Sequence, residues 1–161
     1  MAVLSSPHHR RSWRATGRRA IAGQAFRYIG ALAVLATGVA HIEQYAVDNY
    51  STVPTIGTLF LLNFIGAIVI AVGLIVPIRR VTGRSTDAVR AVFAVGGIGL
   101  GVLSLAALFI SESSGLFGFV EHGYRMAIVS AIVAEAAATV FLVAFLMANG
   151  TGLQKIRTSS P

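Results

Sequence analysis

The sequence predicts an all-α fold, a four-helix transmembrane bundle with both termini cytoplasmic. Three observations predict it. Of 161 residues 55% are hydrophobic and only 12% charged, with a mean hydropathy of +0.76, against roughly 25% charged in ordinary soluble domains. Four apolar stretches have the length, about 20 residues, that crosses roughly 30 Å of hydrocarbon. Of the 13 basic residues, 12 fall on one side of those stretches, and the cytoplasmic side carries such an excess.

Residues 1–25 hold no acid and include His8-His9-Arg10-Arg11-Ser12-Trp13-Arg14. They are expected as a disordered basic arm lying on anionic lipid. A signal n-region with cleavage after Ala40 is the competing reading, which the length of the apolar stretch disfavours. The membrane domain is expected over residues 26–148, with spans at about 28–47, 55–78, 91–111 and 126–148, and residues 149–161 form a short cytoplasmic tail. The first span is apolar as far as Ala40 and then carries His41, Glu43 and Gln44; the second and third are free of charge; the fourth holds Glu135 near its middle.

Arginines 10, 11, 14, 18, 19 and 27, then 79, 80, 84 and 90, with Lys155 and Arg157, flank one face, and Arg125 alone the other. The loops 48–54 and 112–124 therefore face outward. This imbalance argues against small four-helix multidrug transporters, which insert in both orientations and need nearly balanced loops. It also assigns the net charge of +7 to membrane flanks, so no nucleic-acid partner is expected. The chain has no cysteine, which removes disulfides, thiolate metal sites and covalent haem attachment. The Arg-, Ala-, Val- and Gly-rich usage suggests a high-GC bacterium and hence a bacterial plasma membrane.

Polar side chains within hydrocarbon should face protein or a cavity. Helical spacing aligns Thr37, His41, Gln44, Tyr45 and Asp48 on the first span and places Asn63 with Leu59, Gly66 and Ala67 on the second. The third aligns Gly97, Gly101, Ser104 and Ser111, with a Gly-xxx-Gly pair suited to close helix approach. Glu135 shares its face with Ala131, Ala138 and Thr139. At about 1.5 Å per residue, His41 and Ser104 lie about 10 Å deep, Asn63 about 12 Å and Glu135 about 15 Å. They should form one layer. That layer, with Tyr45, is either a hydrogen-bonded cluster that sets helix register or a site for a small solute, ion or proton.

Outside the layer, His41, Glu112, Glu121 and His122 mix imidazole with carboxylate, as zinc, iron or manganese prefer, but without fixed ligand spacing. A b-type haem would need His41 from each of two protomers. Neither cofactor is predicted. The segment 115–120 is apolar yet too short to span, and is expected as an interfacial cap, Phe rings down and Glu121 up, acting as a lid or a simple anchor. Asn49-Tyr50-Ser51 has the form of a glycosylation acceptor, without meaning in a bacterium.

Residues 53–63, reading Val-Pro-Thr-Ile-Gly-Thr-Leu-Phe-Leu-Leu-Asn, together with 115–121, reading Gly-Leu-Phe-Gly-Phe-Val-Glu, and the late Glu135 resemble small four-span membrane proteins of actinobacteria. The resemblance covers roughly residues 28–147. It implies fold and compartment, and no catalytic residue is carried over. Nor is there a Walker loop, a Gly-x-Ser-x-Gly or a His-Glu-x-x-His in the chain. The expected function is therefore a non-catalytic inner-membrane bundle acting through partners or self-association. A solute- or ion-binding module using His41, Asn63, Ser104 and Glu135 is the alternative, and a haem or metal redox subunit the second.

Overall fold

The computed structural model describes residues 7–77, 82–120 and 126–157, with side chains described from residue 18 to 150 apart from Arg84. Helix α1 spans Pro7–Ala46, α2 Ile56–Ile75, α3 Thr86–Ser113 and α4 Met126–Arg157. Within them, Arg18–Ala46, Ile56–Ile75, Thr86–Ser113 and Met126–Gly150 are long and apolar enough to cross a membrane. Among the described residues there is no strand, only an isolated bridge between Leu116 and Phe119.

Two helices begin earlier than apolar length suggests. α1 extends back to Pro7, so helix occupies most of the segment where an irregular arm is expected. Proline is compatible with the first helical turn, and the Arg and Ala that follow are strong helix formers. α3 starts at Thr86 rather than near Ala91, after a 3-10 turn at Gly83–Ser85. There the Thr86 hydroxyl donates to the Gly83 carbonyl at 2.7 Å, and Asp87 in the first turn complements the helix dipole. As a result Arg27 and Arg90 sit within helices.

The helices pack around a square. α1 lies against α4 and α2, α3 lies against the same two, and α1 and α3 scarcely touch across the diagonal. The α1–α4 seam follows from sequence spacing. Buried positions on α1 include Arg27, Ala31, Val34, Thr37, His41 and Gln44, and on α4 Ile128, Ala131, Glu135, Ala138, Leu142 and Phe145. Steps of three and four keep one stripe facing its partner, as in left-handed helix pairs. The outward sides of all four helices carry apolar residues such as Leu32, Val72, Leu103, Phe109 and Val133, a surface suited to lipid.

The half of the bundle nearest the chain ends is tightly packed around the apolar cluster Ala31, Val34, Ala71, Leu74, Ala94, Leu142 and Phe145. Leu142 inserts between two glycines. A Cβ added at Gly30 would stand 2.7 Å from one of its methyls, and one at Gly97 would stand 2.6 Å from the other. The expected close approach at Gly97 and Gly101 is thus made within the chain. At Gly101 a Cβ would meet the Glu135 carbonyl and the Thr139 hydroxyl, each at 3.2 Å, so this glycine brings α3 onto the α4 backbone beside Glu135.

Candidate functional site

The half of the bundle toward the α1–α2 and α3–α4 connections is less tightly filled. The ring of His41 is held first: its Nδ1–H donates to the Thr37 carbonyl, one turn back, at 2.9 Å. Because that carbonyl can only accept, the proton of the neutral ring is on Nδ1 and Nε2 is an acceptor. The Ser104 hydroxyl donates to Nε2 at 3.0 Å, and Asn63 Nδ2 donates to the Ser104 oxygen at 3.4 Å. Glu135 places a carboxyl oxygen 3.7 Å from the same Nε2. His41 and Glu135 are 4% and 2% exposed, so the pair is removed from any bulk solvent.

Each helix contributes one member of this layer. His41 comes from α1, Asn63 from α2, Ser104 from α3 and Glu135 from α4, brought together as depth and face periodicity predict. The hydrogen bonds form a directed chain, Asn63 to Ser104 to His41 to Thr37, that links three helices. Two of its oxygens are unmatched: Asn63 Oδ1, on the cavity wall, and the Thr37 hydroxyl, which does not line the cavity, are buried without a hydrogen-bond partner. A buried amide oxygen without a donor is costly, on the order of 1–3 kcal/mol, and a donor entering the cavity would satisfy it.

The layer forms the polar wall of a cavity of about 370 Å³, toward the small end of ligand pockets at roughly 300–1,000 Å³. His41, Gln44, Asn63, Ser104, Ser111 and Glu135 supply its polar groups; the rest of the lining is apolar, mainly Leu, Ile, Phe and Ala. Leu59 and Leu62 of α2 and Leu103 of α3 line it and are also exposed, 41%, 57% and 72% respectively. The opening is therefore lateral, between α2 and α3, on a face clad in apolar side chains.

The roof is aromatic. Leu116 and Phe119 exchange two backbone hydrogen bonds, at 2.7 and 2.9 Å, closing a two-residue turn in which Phe117 and Gly118 have φ of 52° and 81°. Two left-handed central residues define the tight hairpin turn that glycine favours. The turn divides the segment's side chains: Leu116 and Phe119 line the cavity, whereas Phe117 is 68% exposed. The expectation of both Phe rings facing down therefore holds for Phe119 and fails for Phe117, because Phe117 occupies a central position of the turn whereas Phe119 belongs to the hydrogen-bonded pair that closes it. Phe119 meets the Tyr50 ring at 5.4 Å, Tyr50 meets Phe60 at 5.0 Å, and Phe60 meets His41 at 5.1 Å. This file of rings runs from the hairpin to the polar layer. Tyr50 is 3% exposed, and Gly57 lets the Tyr50–Thr52 turn press on the start of α2, since a Cβ there would stand 2.5 Å from the Tyr50 carbonyl.

Tyr45 is not among the cavity-lining residues. Gln44, one position earlier, takes that place, anchored by its amide to the Ala40 carbonyl at 3.2 Å. One residue turns a helix by about 100°, enough to exchange the two. Of the expected metal-ligand set, Glu121 and His122 lie outside the described residues, and Glu112 does not line the cavity. Among the described residues no three His, Asp or Glu side chains converge as metal ligands. Both His41 nitrogens are engaged in hydrogen bonds, so metal or haem ligation at Nε2 would have to displace Ser104.

Fold and site together define an all-helical chain with four potential membrane spans and a side cavity, apolar at its mouth and polar at its inner wall. No protein-family model matches the chain, nor does any curated protein or solved structure, so function is argued from this geometry.

Proposed function

We propose that the protein is a non-catalytic plasma-membrane module that takes a small amphipathic molecule from the bilayer into the lateral cavity, apolar body between α2 and α3 and polar head on the layer of His41, Asn63, Ser104 and Glu135. The observation that carries this reading is the unmatched Asn63 Oδ1 on the polar inner wall of a cavity whose remaining lining is apolar. Of the two unpartnered oxygens of the layer, Asn63 Oδ1 is the one on the cavity wall, where an incoming hydroxyl or N–H can reach it. Of the functional alternatives in the sequence, the solute-binding module is therefore favoured.

A photoactivatable medium-chain alkanol, reconstituted with the protein in liposomes, tests the proposal. Adducts should saturate with dose and concentrate on Leu59, Leu62, Leu103 and Ala107. Labelling spread evenly over the outward residues of α4, such as Val129 and Val133, would mean that only bulk lipid contact occurs.

The proposed orientation has both termini cytoplasmic and the cavity in the outer half of the membrane, supported by the 12 basic residues flanking the opposite end. Reporter fusions at Pro161 and within the 115–120 hairpin should read opposite faces. A common face for both would reject the orientation.

A further inference from the structure

A second site is carried by two arginines at the other end of the bundle. We propose that Arg27 of α1 and Arg90 of α3 jointly bind a phosphate monoanion or diester, the source being the head group of an anionic phospholipid. Arg27 is only 5% exposed, and the Nε of each guanidinium is buried without a hydrogen-bond partner. Nε and its neighbouring Nη form the edge by which guanidinium grips a carboxylate or phosphate with two parallel bonds. In both residues that edge lacks its acceptor at Nε.

The charges reinforce the point. Val34 of α1 approaches Gly97 of α3, 3.3 Å from a Cβ placed there, and Arg27 and Arg90 each lie seven residues earlier on helices that run in the same direction, so the two arginines stand at one level of the bundle; Asp87, one turn before Arg90, is exposed. Arg27 has the Tyr28 ring 4.5 Å from its Cζ, a contact worth less than an ion pair. A buried cation such as Arg27 beside a second positive charge is costly unless an anion lies between them. A tetrahedral phosphate offers acceptors to two forks at once.

Position selects the source. Counting from the cavity end, Arg27 lies about 28 Å from Ala46 and Arg90 about 34 Å from Ser113, close to the hydrocarbon thickness of roughly 30 Å. Both guanidiniums thus reach the depth of lipid phosphates, and basic pockets between spans on the cytoplasmic side suit such head groups. The sequence adds Arg79, Arg80 and Arg84 in the α2–α3 connection. This site is separate from the basic arm of residues 1–25, because it is built between helices.

The full chain in neutral maltoside detergent and chloride buffer is the system for the test. Short-chain phosphatidylglycerol should raise the melting temperature by about 5 °C near saturation, and the matched diacylglycerol, which lacks the phosphate, should not. Inorganic phosphate forms the third arm: a weaker effect at equal concentration assigns the site to lipid, and an equal effect assigns it to the free anion. Arg27→Gln and Arg90→Gln should each lose the shift, and without additive each should melt no lower than the parent chain, because removing one charge relieves the repulsion. Arg27→Lys keeps the charge but not the fork and should lose most of the shift. An undiminished phosphatidylglycerol shift in these variants, no shift in the parent chain, or equal protection by diacylglycerol would overturn the proposal.

Discussion

Leu142→Ala should be among the most destabilising single changes in the molecule, at about 2–5 kcal/mol. Leu142 is fully buried, and the hollow that receives it is made by the missing side chains of Gly30 and Gly97. Neither backbone can move inward to fill the void without disturbing Val34 or Ile70, which also approach Gly97, each at 3.3 Å from a Cβ placed there. Gly97→Ala alone should cost roughly 1–3 kcal/mol by overpacking, since Leu142 is held on its far side by Gly30 and cannot swing away. In the double variant the new methyl occupies part of the void. The combined loss should fall short of the sum by roughly 0.5–3 kcal/mol. Unfolding of the four chains in mixed micelles measures it, and simple additivity would show that Leu142 and Gly97 do not share one contact.

Glu135 should separate shape from ionisation. Glu135→Leu is expected to cost about 1–2 kcal/mol, the upper part of the range for polar contacts between spans, because it removes the carboxyl beside His41 and leaves an apolar side chain against the Asn63–Ser104–His41 chain. Glu135→Gln keeps both the volume and the capacity to hydrogen-bond, so its stability should stay within about 0.5 kcal/mol of the parent chain. If Glu135→Gln proved as damaging as Glu135→Leu, the layer would be held by the charge of the His41–Glu135 pair instead of by hydrogen bonds. A neutral Glu135→Leu would mean that the carboxyl makes no contribution to packing.

Much of this arrangement is legible in the sequence because a membrane restricts the possibilities. Polar residues at matched depth must turn inward, so counting along helices was enough to bring His41, Asn63, Ser104 and Glu135 together, and the Gly97–Gly101 spacing was enough to mark a close approach. Periodicity gives a face but not the neighbour that the face meets. The diagonal placement of α1 and α3, which sets the cavity mouth between α2 and α3, therefore depends on tertiary packing. Gln44 and Tyr45 were both on the polar stripe, and only helix rotation chooses between them. Tyr50 lies in a polar loop sequence, and nothing local marks it as the link between Phe60 and Phe119. Arg27 and Arg90 read as flanks in the sequence, because apolar length ends a span at the first charge whereas a helix continues through arginine without difficulty.

In the proposed function the polar layer selects the head of a molecule whose body lies in the apolar mouth. Competition against the photoactivatable alkanol tests it most directly, with an unlabelled alkanol and the alkane of equal carbon number as competitors in the parent chain and in Asn63→Leu. The parent chain should lose labelling at Leu59, Leu62 and Leu103 to the alkanol at a lower concentration than to the alkane, by roughly tenfold for one hydrogen bond of about 1.4 kcal/mol, and Asn63→Leu should abolish that preference. Equal competition by alkanol and alkane in the parent chain would contradict the account and leave the polar layer as a device for helix register alone.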